Sequence, residues 1–504
     1  MYMLRKNLIL FYITITTLLY SQNEIDALRY SMFDNYNTAG ISALGGAGGL
    51  WSHNHNPASL GFFNGNNLLS ISLGNQSQQT ESNYFGQKET IENKINIIPF
   101  IQNAGYVTSL QFSENDEWSS INIALSVNRK KNFNKNINIS GYNTESSMVN
   151  QFVQYAQNIS PEELGWNEWL AYDSFLIDPD ESEITNPDGT TSFVLNGDYQ
   201  PTSGMELIGQ TQTRKIKETG FINEVDLAFS SAYKDFLFIG GSIGITHMKF
   251  SHRSSYKEDE FNDNNNLLNF EYNEYLNQEG GGVNLKIGTI IKPLSFLRVG
   301  LAYHSPTYNE ISEFYEASIE TNFIEPPIED TTATNFSQNY SSDYDFILNT
   351  PSKSILSLAF LKKYMSIQTL LTLDFERVNY ENSQLSSIDF YGYDFYDENE
   401  KISEYYGATN NIKIGLFLRI KNISLRGGYA IFGSPFKRDE DNEWSQEYMS
   451  LGLGYKVNAY SFDLALAQQS NDEDIILYQD FNSSYSAPIN NIINTIILTC
   501  SYKF

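Results

Sequence analysis

The chain has 504 residues and a formal net charge of −28, from 60 acidic against 32 basic side chains, with a single cysteine. That balance leaves no basic surface to neutralise phosphates and excludes nucleic acid as a partner, while one cysteine excludes an intramolecular disulfide framework. Tyrosine (34) and phenylalanine (33) are both abundant; with the many Asn and Ser residues they point to strands, aromatic girdles and polar loops.

In chain order, Arg5 and Lys6 precede the apolar run Asn7–Tyr20, and Ser21 follows it. A short basic region, an apolar run and a small residue describe a secretory signal peptide over residues 1–21. The run is short for a spanning helix, which needs about 20 apolar residues, and no Cys follows it to carry a lipid. Without a second long apolar run, entry into a membrane would be by strands. Further on, "WSHNHNPASLGFF" (Trp51–Phe63) places His53 and His55 one residue apart. A structural zinc takes about four protein ligands and a catalytic one about three. Nothing nearby supplies the others, so neither a metal nor a cofactor is expected. As imidazoles, the two rings would respond to pH near neutrality.

From residue 67 onward apolar residues alternate with small or polar ones. "INIALSVNR" sets Ile121, Ile123, Leu125 and Val127 on one face; "IKIGLFLRI" does so with Ile412, Ile414, Leu416, Leu418 and Ile420; "YSFDLALA" with Tyr460, Phe462, Leu464 and Leu466. A period of two is the signature of strands. Such runs fall at 67–74, 105–112, 118–130, 208–232, 236–252, 269–292, 295–310, 341–361, 364–379, 410–421, 423–432, 446–456, 459–469 and 493–504. About fourteen runs is an even number, as closed bacterial barrels require. Short Lys-containing turns recur near Lys234, Pro293, Lys362, Asn422 and Val457, whereas 253–268, 309–343, 379–409, 435–446 and 469–491 read as long acidic loops. Tight turns at one end and long loops at the other describe an outer-membrane barrel. The final strand alternates Ile496, Leu498, Cys500, Tyr502 and Phe504 and ends on an aromatic residue, like the C-terminal signal of such barrels.

Residues 143–207 break the pattern as a long outer loop. Met148, Phe152, Tyr155 and Ala156 have helical spacing, and Ser160 before Pro161-Glu162-Glu163 reads as a helix start. Phe152, Tyr155, Trp166 and Trp169 are candidates for an outer capture site; the alternative is that they pack the loop onto the barrel rim. On the inward face, Arg298, Arg419, Arg426 and Lys413 are candidate luminal ligand contacts, each expected to pair with Asp226, Asp374, Glu376 or Asp463. No strand carries a Ser/His/Asn set or paired acids, and His247, His252 and His304 lack a nucleophile partner in sequence, so no enzymatic activity is expected.

"ALRYSMFDNYNTAGISALGGAGGLWSHNHNPASLGFF", followed at once by the first strand, resembles the N-terminal hatch of the FadL/TodX family of outer-membrane transporters. "SVNRKKNFNKNINISGYNTESS" and "PEELGWNEWLAYDSFLID" are similar to the third strand and long outer loop of the forms found in Bacteroidetes. The resemblance implies an all-β barrel of about fourteen antiparallel strands over residues 67–504, with a luminal hatch at 22–66. It implies passive uptake of hydrophobic small molecules, of the long-chain fatty acid or aromatic hydrocarbon class, across the outer membrane of a Gram-negative cell. It further implies capture in an outer groove and lateral exit at a kinked third strand. Asn56, Pro57 and Ala58 match the hatch motif, with Gly45 and Gly46 allowing close packing in the lumen. Pro57 biases Asn56 to an extended backbone, and the Asn56 side chain can fix the turn. Expected partners are outer-membrane lipid and lipopolysaccharide, the hydrophobic substrate, and the barrel-assembly machinery during biogenesis; the chain is expected to be a monomer. Two departures stand out: residues 118–139 contain neither Gly nor Pro to mark a kink, and the acidic loops are long. The competing readings are a secretion component of the type IX shuttle kind and a purely structural barrel.

Overall fold

The computed structural model describes residues 24–504 except 66, 94–98, 113–116, 186–190, 203–206, 262–265, 328–331, 389–392, 440–443 and 482, so the expected signal peptide lies outside the described residues. Helices α1 (Glu24–Arg29) and α2 (Ala39–Ser42) and a 3-10 turn (Pro57–Phe62) lead into strands β1 (Asn67–Tyr84), β2 (Gln87–Asn93), β3 (Phe100–Gln111), β4 (Trp118–Asn132) and β5 (Lys135–Asn143). An outer loop follows with α3 (Val149–Ala156), α4 (Trp166–Asp173) and the hairpin β6 (Ile177–Thr185) and β7 (Thr191–Pro201). Then come β8 (Gln210–Tyr233), β9 (Leu237–Asp259), β10 (Leu267–Leu294), β11 (Leu297–His304), β12 (Tyr308–Phe323), β13 (Asn335–Asn349), β14 (Lys353–Tyr364), β15 (Ile367–Asn379) and β16 (Gln384–Ser387). After α5 (Tyr396–Tyr405), the chain ends with β17 (Ala408–Ile420), β18 (Ile423–Phe432), β19 (Gln446–Val457), β20 (Tyr460–Gln479) and β21 (Ser484–Lys503).

The strands form a closed antiparallel barrel with 14 wall strands. Closure is made by β1, which pairs with β21 from Leu68↔Lys503 to Ser82↔Ile489 and with β3 on its other edge. Five of the wall strands are each built from two pieces: β2 with β3, β4 with β5, β11 with β12, β13 with β14, and β15 with β16. The interruptions of β11/β12 and β13/β14 fall at Pro306 and Pro351, which cannot donate to a ladder. Thr307 and Thr350 bridge them side by side: Thr350 N donates to Thr307 O and Thr307 N to Thr350 Oγ1, both at 3.0 Å.

Alternation sets the two faces. On β10, Val283, Leu285 and Ile287 are exposed outward while Lys286 is buried inward. Together with Leu301, Leu356, Ile414, Leu451, Leu464 and Leu498 they form an exposed apolar belt around the wall. At the tight-turn end the belt is edged by aromatic rings: Tyr460 stacks on Tyr502 (4.8 Å), Tyr502 on Phe504 (5.1 Å), and Trp118 packs edge-on to Tyr233 (5.2 Å). Water would not tolerate so continuous an apolar surface on a monomer; lipid would.

The strands run further outward than sequence alternation predicts. Residues 253–268, 309–343 and 469–491, expected as loops, are largely the outer halves of β9–β10, β12–β13 and β20–β21. Above the belt the outward face turns polar, as in β13, where Asn335, Ser337, Asn339, Ser341, Asp343 and Asp345 alternate with inward Phe336, Tyr340, Tyr344 and Phe346, so the apolar outward face ends although the hydrogen-bond ladder continues.

The belt yields a direct prediction. Ile287, 61% exposed in mid-belt, replaced by Arg is expected to destabilise the lipid-inserted barrel by about 2–4 kcal/mol. Urea unfolding in phospholipid vesicles reads this, and an unchanged midpoint would place Ile287 outside the hydrocarbon.

Candidate functional site

Residues 24–65 run inside the barrel, and close approach to the wall sets their path more than regular structure does. Ala39 N donates to Thr499 Oγ1 (2.8 Å), Gly45 N to Ser450 Oγ (3.1 Å) and Gly49 N to Asp374 Oδ2 (2.8 Å). Gly45 and Gly46 have φ of 68° and 73°, the left-handed region that glycine enters without steric cost. Gly45 also lies against Gly428 of β18, where an added Cβ would collide with it.

Asn56 fastens the segment to the opposite wall. Its backbone is extended, as expected before Pro57, and its Oδ1 accepts from Ala58 N (3.0 Å), capping the 3-10 turn. Its Nδ2 reaches the wall itself, donating to Thr289 O (3.3 Å) on β10 and Leu301 O (3.2 Å) on β11. Gly288, Gly300 and Gly240 make room: a Cβ on Gly288 would strike the Asn56 amide, and one on Gly240 the Pro57 backbone. The local cap was legible from the Asn-Pro pair. The wall bonds were not, because Asn56 and its acceptors are far apart in sequence.

His53 and His55 are not poised for titration near neutrality. His53 Nε2 lies 3.0 Å from Ser126 Oγ, and the His55 carbonyl accepts from His304 Nε2 at 2.8 Å. Inside the barrel, desolvation of the imidazolium pushes His53 down to about 4 and His55 well below its ordinary value, with Lys413 adding to the His55 shift. Among the described residues, no group of three or more His, Cys, Asp or Glu side chains could hold a metal ion.

The inward cations are distributed by level. Lys413 lies on the looped side of the segment and pairs with Glu376 (2.7 Å). On β10, Lys286, which the alternation did not single out, is buried between Glu224 (2.6 Å) and Asp226 (2.8 Å). Arg298, Arg419 and Arg426 lie toward the tight-turn end. Arg426 pairs with Asp463 (2.6 Å), but Arg298 departs from the expected carboxylate pairing: its guanidinium covers Phe62 (4.2 Å) and Trp51 (4.7 Å) of the luminal segment. Arg419 lies over Phe417 (5.3 Å).

The third wall strand is broken between β4 and β5 although residues 118–139 contain no Gly or Pro. The β3–β4 ladder runs from Gln111↔Ser120 and ends at Asn103↔Asn128. Beyond that point, among the described residues, β5 pairs with β8 and β2 with β1. A bulge against β8 falls between Arg129 and Lys131, and β5 leans inward onto β1, its Asn136 and Asn138 carbonyls accepting from Thr80 and Ser82. The backbone freed at the break is taken up by the luminal segment: Asp34 N donates to Lys130 O (2.9 Å), and Asp34 Oδ2 accepts from Asn132 N (2.9 Å). Aromatic rings gather there, with Arg129 over Phe221 (4.6 Å) and Phe100 (5.4 Å), and Phe133 against Tyr30 (5.9 Å).

The outer loop is partly helical, as predicted, with a hairpin in addition. Phe152 does not form a capture surface. It is 1% exposed, in a core shared with Tyr272 and Tyr478, while Trp169 packs against that core from its edge. Trp166 is 47% exposed but stacked on Tyr340 at 3.8 Å. Helix α3 turns its apolar face to the barrel rim because burying it there is its largest hydrophobic gain. Tyr155 is half-buried on the same helix.

No family model and no curated protein matches the chain. Among solved structures, a FadL homologue of Pseudomonas aeruginosa matches with a TM-score of 0.52 at 12% identity, over 94% of this chain and 100% of that one. The Pseudomonas putida toluene transporter TodX matches at 0.49 and 13% identity, covering 93% and 99% of the two chains. The toluene transporter TbuX of Ralstonia pickettii matches at 0.48 and 11%, also over 93% and 99%. The chain is thus a closed antiparallel barrel with its N-terminal segment in the lumen. More particularly, the P. aeruginosa match shows the FadL fold.

Two predictions follow from the seat of the luminal segment. Each wall or cap bond is worth about 0.5–1.5 kcal/mol net, so Asn56→Ala is expected to loosen the segment by about 2–4 kcal/mol; a rise in ion conductance across planar bilayers reads it, and unchanged conductance would mean other contacts suffice. The second concerns His53. Between pH about 6.5, where an unfolded imidazole titrates, and about 4, where His53 titrates in place, the unfolded chain binds more protons. Stability is therefore expected to fall as pH drops through that window, and NMR of labelled His53 should find the ring neutral at pH 5.5.

Proposed function

We propose that the protein is a passive outer-membrane channel for small hydrophobic molecules, taken in at the looped end and released sideways at the break in the third strand. The break carries the reading. It is the one place among the described wall ladders where neighbouring strands part beside the apolar belt, and aromatic rings flank it. Luminal residues 24–65 obstruct the straight path. A hydrophobic solute is slowed by the saccharide and charge above the membrane, and a lateral exit spares it passage through water. An apolar, concave route with weak sites suits such a cargo.

The FadL fold of the P. aeruginosa match supports this reading, as does the resemblance of the N-terminal sequence. Asn56-Pro57-Ala58, Gly45 and Gly46 then act as the seat of a hatch, and Asp34 couples that hatch to the exit. The cargo belongs to the aromatic hydrocarbon or long-chain fatty acid class, and the chain works as a monomer in lipopolysaccharide-bearing membrane.

Uptake of radiolabelled toluene and oleate by cells with and without the protein tests this. At least severalfold faster uptake of one of them, with glucose uptake unchanged, is expected. Phe100→Glu, which places a charge at the break, is expected to slow that uptake by about 5–10-fold while the barrel remains heat-modifiable on gels. Equal uptake with and without the protein would overturn the reading.

A further inference from the structure

A cavity opens at the tight-turn end, beneath the luminal segment, on the side opposite to the long outer loops. Its volume is about 820 Å³, within the range of small-molecule sites. One side is apolar, made by Leu44 and Trp51 of the luminal segment with Phe296, Leu361, Leu370 and Phe417 of the wall. The rest carries Arg419, Arg426, Lys362 and Lys363. No aspartate or glutamate lines the cavity among the described residues, although acidic side chains outnumber basic ones 60 to 32 in the chain. Chance composition would give the opposite sign.

The cations are only partly committed. Arg426 is engaged by Asp463 (2.6 Å). Arg419 is half-buried beside Phe417 with its guanidinium over the ring, and no salt bridge is found for it or for Lys362 or Lys363 among the described residues. The indole N–H of Trp51 is buried without an acceptor. A planar guanidinium presents a fork of donors matched to a carboxylate. An apolar wall next to it would receive a hydrocarbon body of modest length.

We propose that this cavity binds an amphipathic organic anion, a molecule with one carboxylate and an aromatic or aliphatic body, from the tight-turn side of the barrel. Arg419 receives the carboxylate, Lys363 adds long-range attraction, and Trp51 with Phe417 holds the body. The proposal goes beyond uptake through the break in the third strand, since it places an organic anion at a separate site on the other side of the luminal segment. It does not require the sideways exit.

The test uses the full-length barrel in lipid nanodiscs, with 4-(trifluoromethyl)phenylbutanoate as the probe and the corresponding alcohol as its uncharged counterpart, followed by fluorine NMR. The carboxylate is expected to bind at least tenfold more tightly than the alcohol once partitioning into empty nanodiscs is subtracted. Arg419→Gln is expected to weaken carboxylate binding at least tenfold and leave the alcohol within twofold. Lys363→Gln, at an exposed position near the end of β14, is expected to weaken it about threefold, with a shallower salt dependence. Equal binding of the two probes, or carboxylate binding untouched by both variants, would overturn the proposal. Because binding is read on the isolated protein, it succeeds or fails separately from cellular uptake.

Discussion

Backbone satisfaction governs this structure. In hydrocarbon no water is available to an unpaired N–H or C=O, so a strand wall must close on itself or find substitutes. Nearly every departure from a regular barrel is a case of substitution. Thr307 and Thr350 bond each other across the adjacent prolines. Asp34 takes the carbonyl and amide that the third strand loses when it parts from the second. Asn56 reaches the peptide oxygens of Thr289 and Leu301. In the first two instances a polar side chain or a luminal backbone group stands where a neighbouring strand or water would otherwise be, whereas Asn56 adds its bonds to carbonyls within the continuous β10–β11 ladder.

That constraint joins the luminal segment to the wall. Removing the segment would do more than open a pore: it would leave the third strand's backbone unpaired beside the apolar belt. The segment and the break are therefore one mechanical unit, held by Asp34 at one point and by Asn56 at another. The buried charges serve the same end. Lys286 between Glu224 and Asp226, and Lys413 with Glu376, neutralise one another within the lumen, and breaking such a pair would strand a charge where its desolvation is expensive.

Below this unit the electrostatics change sign. The lumen at the segment's upper side mixes cations and carboxylates, whereas the charged side chains lining the cavity at the tight-turn end are, among the described residues, all cationic. A hydrophobic solute leaving sideways and an anion held from beneath would use different parts of the same barrel, with the luminal segment as the partition between them.

Much of this architecture was determined by the sequence alone. Period-two alternation marks a strand whenever lipid lies on one side and a packed lumen on the other, and it marked the wall segments, the tight turns and the inward cations. The Asn56-Pro57 pair likewise specified its own capped turn, because that bond is local. Tertiary structure decided what depends on distant partners or on faces of equal polarity. Above the belt, strands such as β13 lose the apolar outward face and keep only scattered inward aromatic residues, so their extent was set by the ladder they join. Phe152 reads in sequence either as a capture residue or as packing of the loop onto the rim, and the fold buries it at the rim. The break in the third strand has no Gly or Pro to announce it, because it is made possible by Asp34, a residue about a hundred positions earlier in the chain that arrives only when the barrel closes around it.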